Sequence, residues 1–257
     1  QLKYPSCGLL CAEFARDVIK NQSTGCLAAI IVEPMQGTAG NIIPPKDWLP
    51  AISSIAREFN ALLICDEMIT GFGRTGSMFA STEIGVKADI MTLGKGIASG
   101  FPLSALATRE ELAFAKPFAL PSGSSSSYGG NPLASAAAYA SLSVILEEEL
   151  VENSRKQGEI FLSRLRAWQA QFNFIGEVHG RGLFLGMELV SDLEKKTPLE
   201  KNLTEKLFQL GIRQGLLAMT YSPHVRFQPS LSMTTDELMT GLDRLEVALK
   251  KLAAILS

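Results

Sequence analysis

Three short apolar runs, each followed by a charged residue, constrain the fold more than any other feature of the sequence. The runs and the residues that follow them are 27–32 before Glu33-Pro34, 61–65 before Asp66, and 88–93 before Gly94-Lys95. Short runs rich in Leu and Ile between polar segments are typical of buried strands. Ligands of open α/β sheets bind outside the carboxyl ends of the strands, so Glu33, Asp66 and Lys95 are predicted to share one rim.

Helical patterns alternate with these strands and then give way to a different pattern. Apolar residues recur at helical spacing in Leu9–Lys20 and Trp48–Phe59, which predicts an α/β fold with a largely parallel sheet covered by helices. Beyond residue 149 or so the pattern is α+β: a helix to about Trp168, a strand at 182–189, a helix at 200–214, short strands near Leu216 and Val225, and a final helix with a capping box at 234–237. We predict two domains, a first one over residues 1–148 and a smaller C-terminal domain over residues 149–257.

Composition excludes several classes of protein. With 257 residues and 46% apolar residues the chain can bury a sizeable core, so general disorder is excluded. The net charge is −2 and no basic stripe is present, so we expect no nucleic acid as a partner. No apolar run reaches the roughly 18 residues that a membrane span needs, so we expect no membrane partner either. The cysteines lack metal-ligand spacing and neither histidine lies near a nucleophile motif, so we expect no metal site and a reduced, cytoplasmic compartment. Because the chain starts at Gln1, we also expect a piece of a longer protein.

Two glycine-containing segments each allow more than one interpretation. Residues 71–76 match G-x-G-x-x-G, but four residues separate them from Asp66 and no clear helix follows, so the match to a dinucleotide-binding fingerprint is poor. A glycine-rich surface turn is the competing interpretation. Residues 122–132, rich in Ser and Gly, are either a flexible linker or an anion-binding segment ahead of the helix predicted at 133–146.

Lys95 at a strand exit has three interpretations: a structural ion pair, a phosphate contact, or an amine that forms a Schiff base. The flanking Gly94 and Gly96 favour the third, because they are expected to leave room for a bulky group at the lysine. Pyridoxal phosphate requires a lysine, a carboxylate for its ring nitrogen and an anion cradle for its phosphate. Lys95, Asp66 and the segment 124–130 are one candidate for each.

Several motifs together resemble the class III, or ω-amino-acid, group of pyridoxal-phosphate aminotransferases of fold type I. The motifs are Glu33-Pro34-Met35-Gln36-Gly37, the segment from Asp66 to Gly76, Ala88-Asp89-Ile90 through Lys95-Gly96 to Ala105, Gly129-Gly130-Asn131-Pro132, and Arg226-Phe227-x-Pro229. They occur in the order and approximate spacing of the family. The resemblance runs over essentially the whole chain but corresponds only to the later part of a family member, so it implies that residues 1–148 are the later part of the large cofactor-binding domain.

The resemblance implies roles for individual residues. Lys95 would hold the cofactor as a Schiff base and later move a proton, and Asp66 would pair with the pyridinium nitrogen. Met68 would pack on the ring face. Ser127 would reach the phosphate of the neighbouring subunit's cofactor, which implies a homodimer.

Two further positions complete the candidate site that the resemblance implies. Arg226 would bind a substrate carboxylate, a role that suits its planar fork of donors. Glu33 is included among the cofactor-binding residues because it shares the rim.

Two departures from the family limit the prediction of substrate. Thr38 stands where branches similar to 4-aminobutyrate and acetylornithine aminotransferases carry a second glutamate, and Ile69 stands where they carry glutamine. We therefore expect a transaminase that uses an amino-acid or ω-amine donor and a keto acid, aldehyde or ketone acceptor, without a 4-aminobutyrate specificity. The alternatives are a decarboxylase, racemase or aminomutase on the same scaffold, or a nucleotide-binding or non-catalytic interaction domain.

Overall fold

The structure is a computed structural model that describes residues 2–256, and the chain forms two compact units. The first unit contains the residues up to Pro34 together with Pro44–Phe72 and Phe79–Ile145. The second contains Met35–Ile43, Gly73–Met78 and the chain from Leu146 onward. Two short segments that precede residue 146 therefore belong with the C-terminal unit. The assignment of 1–148 and 149–257 as functional domains stays a prediction.

The first unit is built on a mixed sheet. Its strands are β1 (Ala29–Val32), β2 (Leu62–Asp66), β3 (Ile90–Leu93) and β4 (Ala105–Thr108), in the order β1-β2-β3-β4. The first three pair in parallel and β4 pairs with β3 antiparallel. The three predicted strands are confirmed, with starts one or two residues later than expected. The fourth was not predicted, because Leu106 is its only large apolar residue.

Five helices and a short turn accompany this sheet. They are α1 (Leu10–Gln22), α2 (Trp48–Glu58), α3 (Ala80–Glu83), α4 (Glu110–Ala113) and α5 (Pro132–Glu147), and Lys95–Ala98 form a 3₁₀ turn. The apolar face of α2 buries Leu49, Ile52 and Ile55 in one cluster with Leu63 and Cys65 of β2. The helical spacing of these residues, read from the sequence, thus creates the contact between helix and sheet.

The second unit packs helices on an antiparallel sheet. Its strands are β5 (Ile175–Arg181), β6 (Phe184–Asp192), β7 (Thr197–Pro198), β8 (Met219–Tyr221) and β9 (His224–Phe227), and its helices are α6 (Leu150–Gln171), α7 (Lys201–Arg213) and α8 (Thr235–Leu256). The strand order is β5-β6-β9-β8, with β7 paired to β6. The single strand predicted at 182–189 is wrong in extent, because two strands form a hairpin that turns at Gly182-Leu183.

The start of α8 is fixed by the predicted capping box. The Thr234 amide donates to Glu237 Oε2 at 2.8 Å, and the Glu237 amide donates back to Thr234 Oγ1 at 3.3 Å. The first of these bonds is the main reason that the pKa of Glu237 lies below its ordinary value. Leucines of the predicted apolar face are buried in the core of this unit: Leu238, Leu242, Leu245, Leu249 and Leu252. Within residues 2–256, no helix has the length and apolar character needed to cross a membrane.

Two glycines in helices of the second unit differ in the space beside them: one faces backbone closely and the other faces open space. A Cβ added to Gly158 of α6 would lie 2.1 Å from the carbonyl oxygen of Gly182, so the absence of a side chain lets the β5–β6 hairpin approach the helix. A Cβ added to Gly241 of α8 would meet nothing within 4 Å. Gly241 borders a largely apolar cavity of about 410 Å³ that Phe161 and Leu242 also line.

These two glycines provide a matched pair of substitutions. We expect Gly241→Ala to raise the free energy of unfolding by about 0.5–1 kcal/mol, because alanine favours a helix interior and open space receives its methyl group. Gly158→Ala is expected to lower it by about 1–3 kcal/mol or more through overpacking against backbone. Urea unfolding followed by Trp168 fluorescence in a Trp48→Phe background measures both values. Equal effects of the two substitutions would contradict the assigned packing.

Candidate functional site

The parallel strands of the first unit deliver three sequence-predicted residues to one edge of the sheet. In the register of β1, β2 and β3, Val32 lies beside Cys65, and Asp66 lies beside Thr92. Glu33 directly follows β1, Asp66 ends β2, and Lys95 comes three residues after Thr92. The carboxyl ends of parallel strands form the edge at which α/β sheets bind ligands.

One of the two carboxylate oxygens of Asp66 accepts a hydrogen bond from the protein. Its half-buried carboxylate accepts a hydrogen bond at Oδ1 from the Met68 amide at 3.0 Å. No second hydrogen bond to this side chain occurs among the described residues, so Oδ2 retains its capacity to accept a proton donor. Thr92, its register partner, has a buried Oγ1 that lacks a partner in residues 2–256. Two polar side chains on one face of the sheet thus have unused hydrogen-bonding capacity.

Lys95 begins the 3₁₀ turn in an unusual backbone conformation. Its φ is +45°, in the left-handed region that residues with a side chain seldom adopt, and the residue is exposed. Such conformations cost free energy and are often found at functional sites. The structure therefore keeps the lysine at the sheet edge at a conformational cost.

The side chain of Met68 fills the space beside Gly94. A Cβ on Gly94 would lie 2.5 Å from Met68 Cε and 2.6 Å from Met68 Sδ, so the methionine thioether already fills the position. The absence of a side chain at Gly94 therefore leaves room for Met68, and the expectation that the two glycines leave room for a bulky group at Lys95 stays a prediction. A Cβ on Gly96 would meet Phe72 no closer than 3.8 Å, an ordinary contact.

The carboxylate of Glu67 fixes the turn that follows Asp66, a role that the sequence pattern did not indicate. Its fully buried carboxylate accepts the amides of Ala80 and Ser81 at 3.1 and 2.7 Å and the hydroxyl of Thr70. These bonds tie the turn after β2 to the start of α3. Burial, together with the nearby Glu67 charge, raises the pKa of the Cys65 thiol to about 12. The one sequence signal for Glu67 was a second acid directly after Asp66.

Ser127 lies in a run of turns ahead of α5. Every residue from 121 to 130 is exposed. The side chain of Asn131 caps α5 by accepting the Ala134 amide at 2.9 Å, and Pro132 opens the helix, a favoured pairing at helix starts. Residues 122–130 are therefore anchored at their C-terminal end by a capped helix.

Arg226, the predicted carboxylate-binding residue, belongs to the second unit. It lies on β9, and its Nη1 donates to the carbonyl oxygen of Gly37 at 3.1 Å. Asn41, which is fully buried and which sequence reasoning missed, donates to Leu185 O at 2.8 Å and accepts from Gln228 Nε2 at 2.7 Å. The segment 35–43 is thereby fixed against the strands that flank Arg226.

The G-x-G-x-x-G segment serves tertiary packing. In the second unit, Arg74 Nη1 donates to the carbonyl oxygens of Leu183 and Pro229 at 3.1 and 2.6 Å, and burial lowers the pKa of Arg74 to about 10. A Cβ on Gly76 would lie 3.1 Å from Arg155 Cβ of α6. Among the described residues, 71–76 form turns and open no helix, so the feature that a dinucleotide fingerprint needs is absent.

The first unit is an α/β fold in which a carboxylate and a lysine follow neighbouring parallel strands, an arrangement typical of enzymes that bind a ligand at the edge of the sheet. Comparison with known proteins identifies the family. The model of the class III aminotransferases matches residues 5–249, so the chain belongs to this family. The chain is 40% identical over 234 residues to an ornithine aminotransferase of Oceanobacillus iheyensis, covering 91% of this chain and 55% of that protein.

Two further comparisons broaden the range of related proteins. A leucine/methionine racemase of Thermococcus litoralis is 35% identical over 248 residues, which are 95% of this chain and 55% of that protein. An amine transaminase from an uncultivated Pseudomonas species, solved in its pyridoxal-phosphate-bound form, superposes with a TM-score of 0.90 at 31% identity, covering 97% of this chain and 58% of that chain. The chain thus spans 55% of the length of each of the two curated relatives described here.

Gly94 and Gly96 give a test of the packing beside Lys95. We expect Gly94→Ala to displace the Met68 thioether but to lower the free energy of unfolding by less than about 1 kcal/mol, because the overlapped atoms are the far end of a flexible side chain that can move aside. Gly96→Ala is expected to change it by less than about 0.5 kcal/mol. The Met68 methyl resonance in a methyl-labelled sample should shift only in Gly94→Ala. A resonance that moves equally in both variants would show that Met68 does not fill the position.

Proposed function

We propose that the chain forms the cofactor-binding and C-terminal part of a pyridoxal-phosphate-dependent transaminase. It would move an amino group between an amino-acid or ω-amine donor and a keto acid, aldehyde or ketone acceptor. The observation that carries the proposal is the parallel pairing of β2 with β3, which puts Asp66 and Lys95 at one sheet edge in a class III aminotransferase.

The residues at this edge fit the cofactor. Asp66 Oδ2 and Thr92 Oγ1 have unused hydrogen-bonding capacity among residues 2–256, as expected where a polar ligand completes the site. The lysine amine is exposed for reaction with a carbonyl group. When bound, pyridoxal phosphate supplies an electron sink for the carbon that loses a proton.

Asp66 and Lys95 have separate tasks in this proposal. Asp66 would keep a proton on the ring nitrogen through a charge-assisted hydrogen bond, and the Met68 amide orients its carboxylate for that contact. Lys95 Nζ would hold the cofactor between turnovers. Once the substrate amine has taken the place of Lys95, the Nζ atom would take the proton from the substrate Cα. It would then deliver this proton to the cofactor carbon that carried the lysine.

Other residues would bind and orient. Met68 would pack on the ring, and Glu33 would complete the rim. We propose that Ser127 contacts a phosphate group in the neighbouring subunit of a homodimer. The largely apolar α5 supports an assembly, because Leu133, Tyr139 and Leu146 are 67%, 77% and 63% exposed, and a helix that is apolar on all sides is normally buried.

Arg226 is the proposed ligand of a substrate carboxylate. Its planar guanidinium suits bidentate binding, and the bond from Nη1 to Gly37 O fixes its orientation on β9. Asn41 supports the same strand by donating to Phe227 O at 3.4 Å, and it also binds Leu185 O of β6 and the Gln228 side chain. Thr38, the departure from the family noted above, is exposed in the same segment.

Racemisation is the second candidate activity. The Thermococcus litoralis relative is named a leucine/methionine racemase and aligns with 95% of this chain. Lys95 and Asp66 would serve both reactions, since both begin with removal of the proton from Cα. The reactions differ in the carbon to which the proton returns.

Attachment of the cofactor tests the role of Lys95. After addition of pyridoxal phosphate and reduction with borohydride, peptide mass spectrometry should find the stable adduct on Lys95. Lys95→Arg should abolish it while keeping the positive charge, and Lys116→Arg, at another exposed lysine, should not. Equal labelling of the parent and Lys95→Arg would refute the assignment.

Product analysis separates the two candidate activities. In the protein that carries this chain, we expect amino-group transfer that requires a keto acid, and Asp66→Asn should slow it by about 10²-fold or more because the charge that holds the ring proton is lost. Asp17→Asn, at an exposed position of α1, should leave the rate unchanged. Chiral chromatography of the amino acid, with the keto acid omitted, measures racemisation. Racemisation without amino-group transfer would favour the second candidate.

A further inference from the structure

A polar cleft lies at the end of the strands opposite to Asp66 and Lys95. Its volume is about 230 Å³. Ala61 and Leu63 at the start of β2, Asp89 just before β3 and Arg109 just after the antiparallel β4 line it, and the last turn of α2 forms another wall. The cleft belongs entirely to the first unit.

The lining carries a surplus of positive charge. Its charged side chains are Arg57, Lys87, Arg109 and Asp89, which together give a net charge of +2. Asp89 is already satisfied: Oδ2 accepts the Leu63 amide at 2.9 Å, and Oδ1 accepts Arg109 Nη2 at 3.1 Å. Arg109 Nη1 also lies 3.8 Å from Glu111. In the part of the chain that the structure describes, Arg57 and Lys87 have no carboxylate partner.

A serine hydroxyl in the lining is available to a ligand. Ser53 of α2 is 6% exposed and lines the cleft, and its Oγ makes no hydrogen bond with any residue from 2 to 256. Free carbonyl oxygens at the end of α2 would repel an anion. Those of Ala56 and Arg57 are engaged, because they accept hydrogen bonds from the amides of Ala61 and Asn60 at 2.9 and 3.1 Å.

We propose that this cleft binds a small dianion of the phosphate class, either inorganic phosphate or the terminal group of a phosphate monoester. Arg57 and Lys87 supply the charge, and Ser53 Oγ donates a hydrogen bond. Charge-assisted bonds from two cations favour a dianion over a single carboxylate. Asp89 and Arg109 neutralise each other and shape the wall, so they position the site rather than bind the ligand. The site is independent of the proposed cofactor chemistry at the other end of the strands.

Titration with inorganic phosphate, followed by amide resonances at constant ionic strength, tests the proposal. We expect a Kd on the order of 1 mM, with shifts at residues 53–63 and 87–89. Arg57→Gln and Lys87→Gln should each raise the Kd about tenfold, and Ser53→Ala about threefold, because each removes one donor. Lys46→Gln, which removes one exposed charge elsewhere in the same unit, should change it less than twofold. Added salt should weaken binding.

Several results would overturn the proposal. These are the absence of shifts up to about 10 mM phosphate, shifts confined to residues 124–130, and equal effects of Lys46→Gln and the cleft variants. A parallel titration with glycerol 3-phosphate identifies the source of the phosphate group. Tighter binding than inorganic phosphate supports a monoester ligand, and weaker binding supports the free ion; both support the site.

Discussion

The parallel pairing of β2 with β3 is the constraint on which the rest of the first unit depends. Its ladder runs from Ile64 beside Ile90 to Asp66 beside Thr92, and a slip of one residue would turn every side chain to the other face of the sheet. Cys65 and Leu63 anchor the register because they are buried under α2. The same pairing puts the acidic and basic residues that follow these strands at one edge of the sheet, and the polar cleft at the other.

Buried polar groups control the turns that follow the strands. Glu67 ties the chain beyond Asp66 to the first amides of α3, so the carboxylate before it is held between a strand and a fixed turn. Asn41 and Arg74 do the same for two segments of the second unit, by donating to backbone carbonyl oxygens. Each of these buried polar side chains would lower the stability of the fold if it had no hydrogen-bond partner. Each turn is therefore held in the one conformation that allows these bonds. Rigid support of this kind is what a site needs when its reactive groups lie on loops.

The sequence predicted the elements whose signals are local. Apolar runs indicated β1, β2 and β3, and Thr234 with Glu237 indicated the start of α8, because each pattern involves neighbouring residues. It did not predict β4 or the β5–β6 hairpin, whose formation depends on distant partners. At the candidate site, Glu67 and Asn41 were missed for the same reason. The contact of Gly94 with Met68 Sδ could not be predicted either, because Met68 comes 26 residues earlier in the sequence.

The contact of Gly158 with Gly182 limits how this protein can change. An added Cβ at Gly182 would also lie 2.4 Å from Gly76 N, so three glycines from separate segments meet where backbone faces backbone. A clash with a neighbouring side chain can be relieved by shortening that side chain, but backbone offers no smaller alternative. Second-site suppressors are therefore not expected among these neighbours, and a library for directed evolution is best built with the codons for all three glycines held fixed.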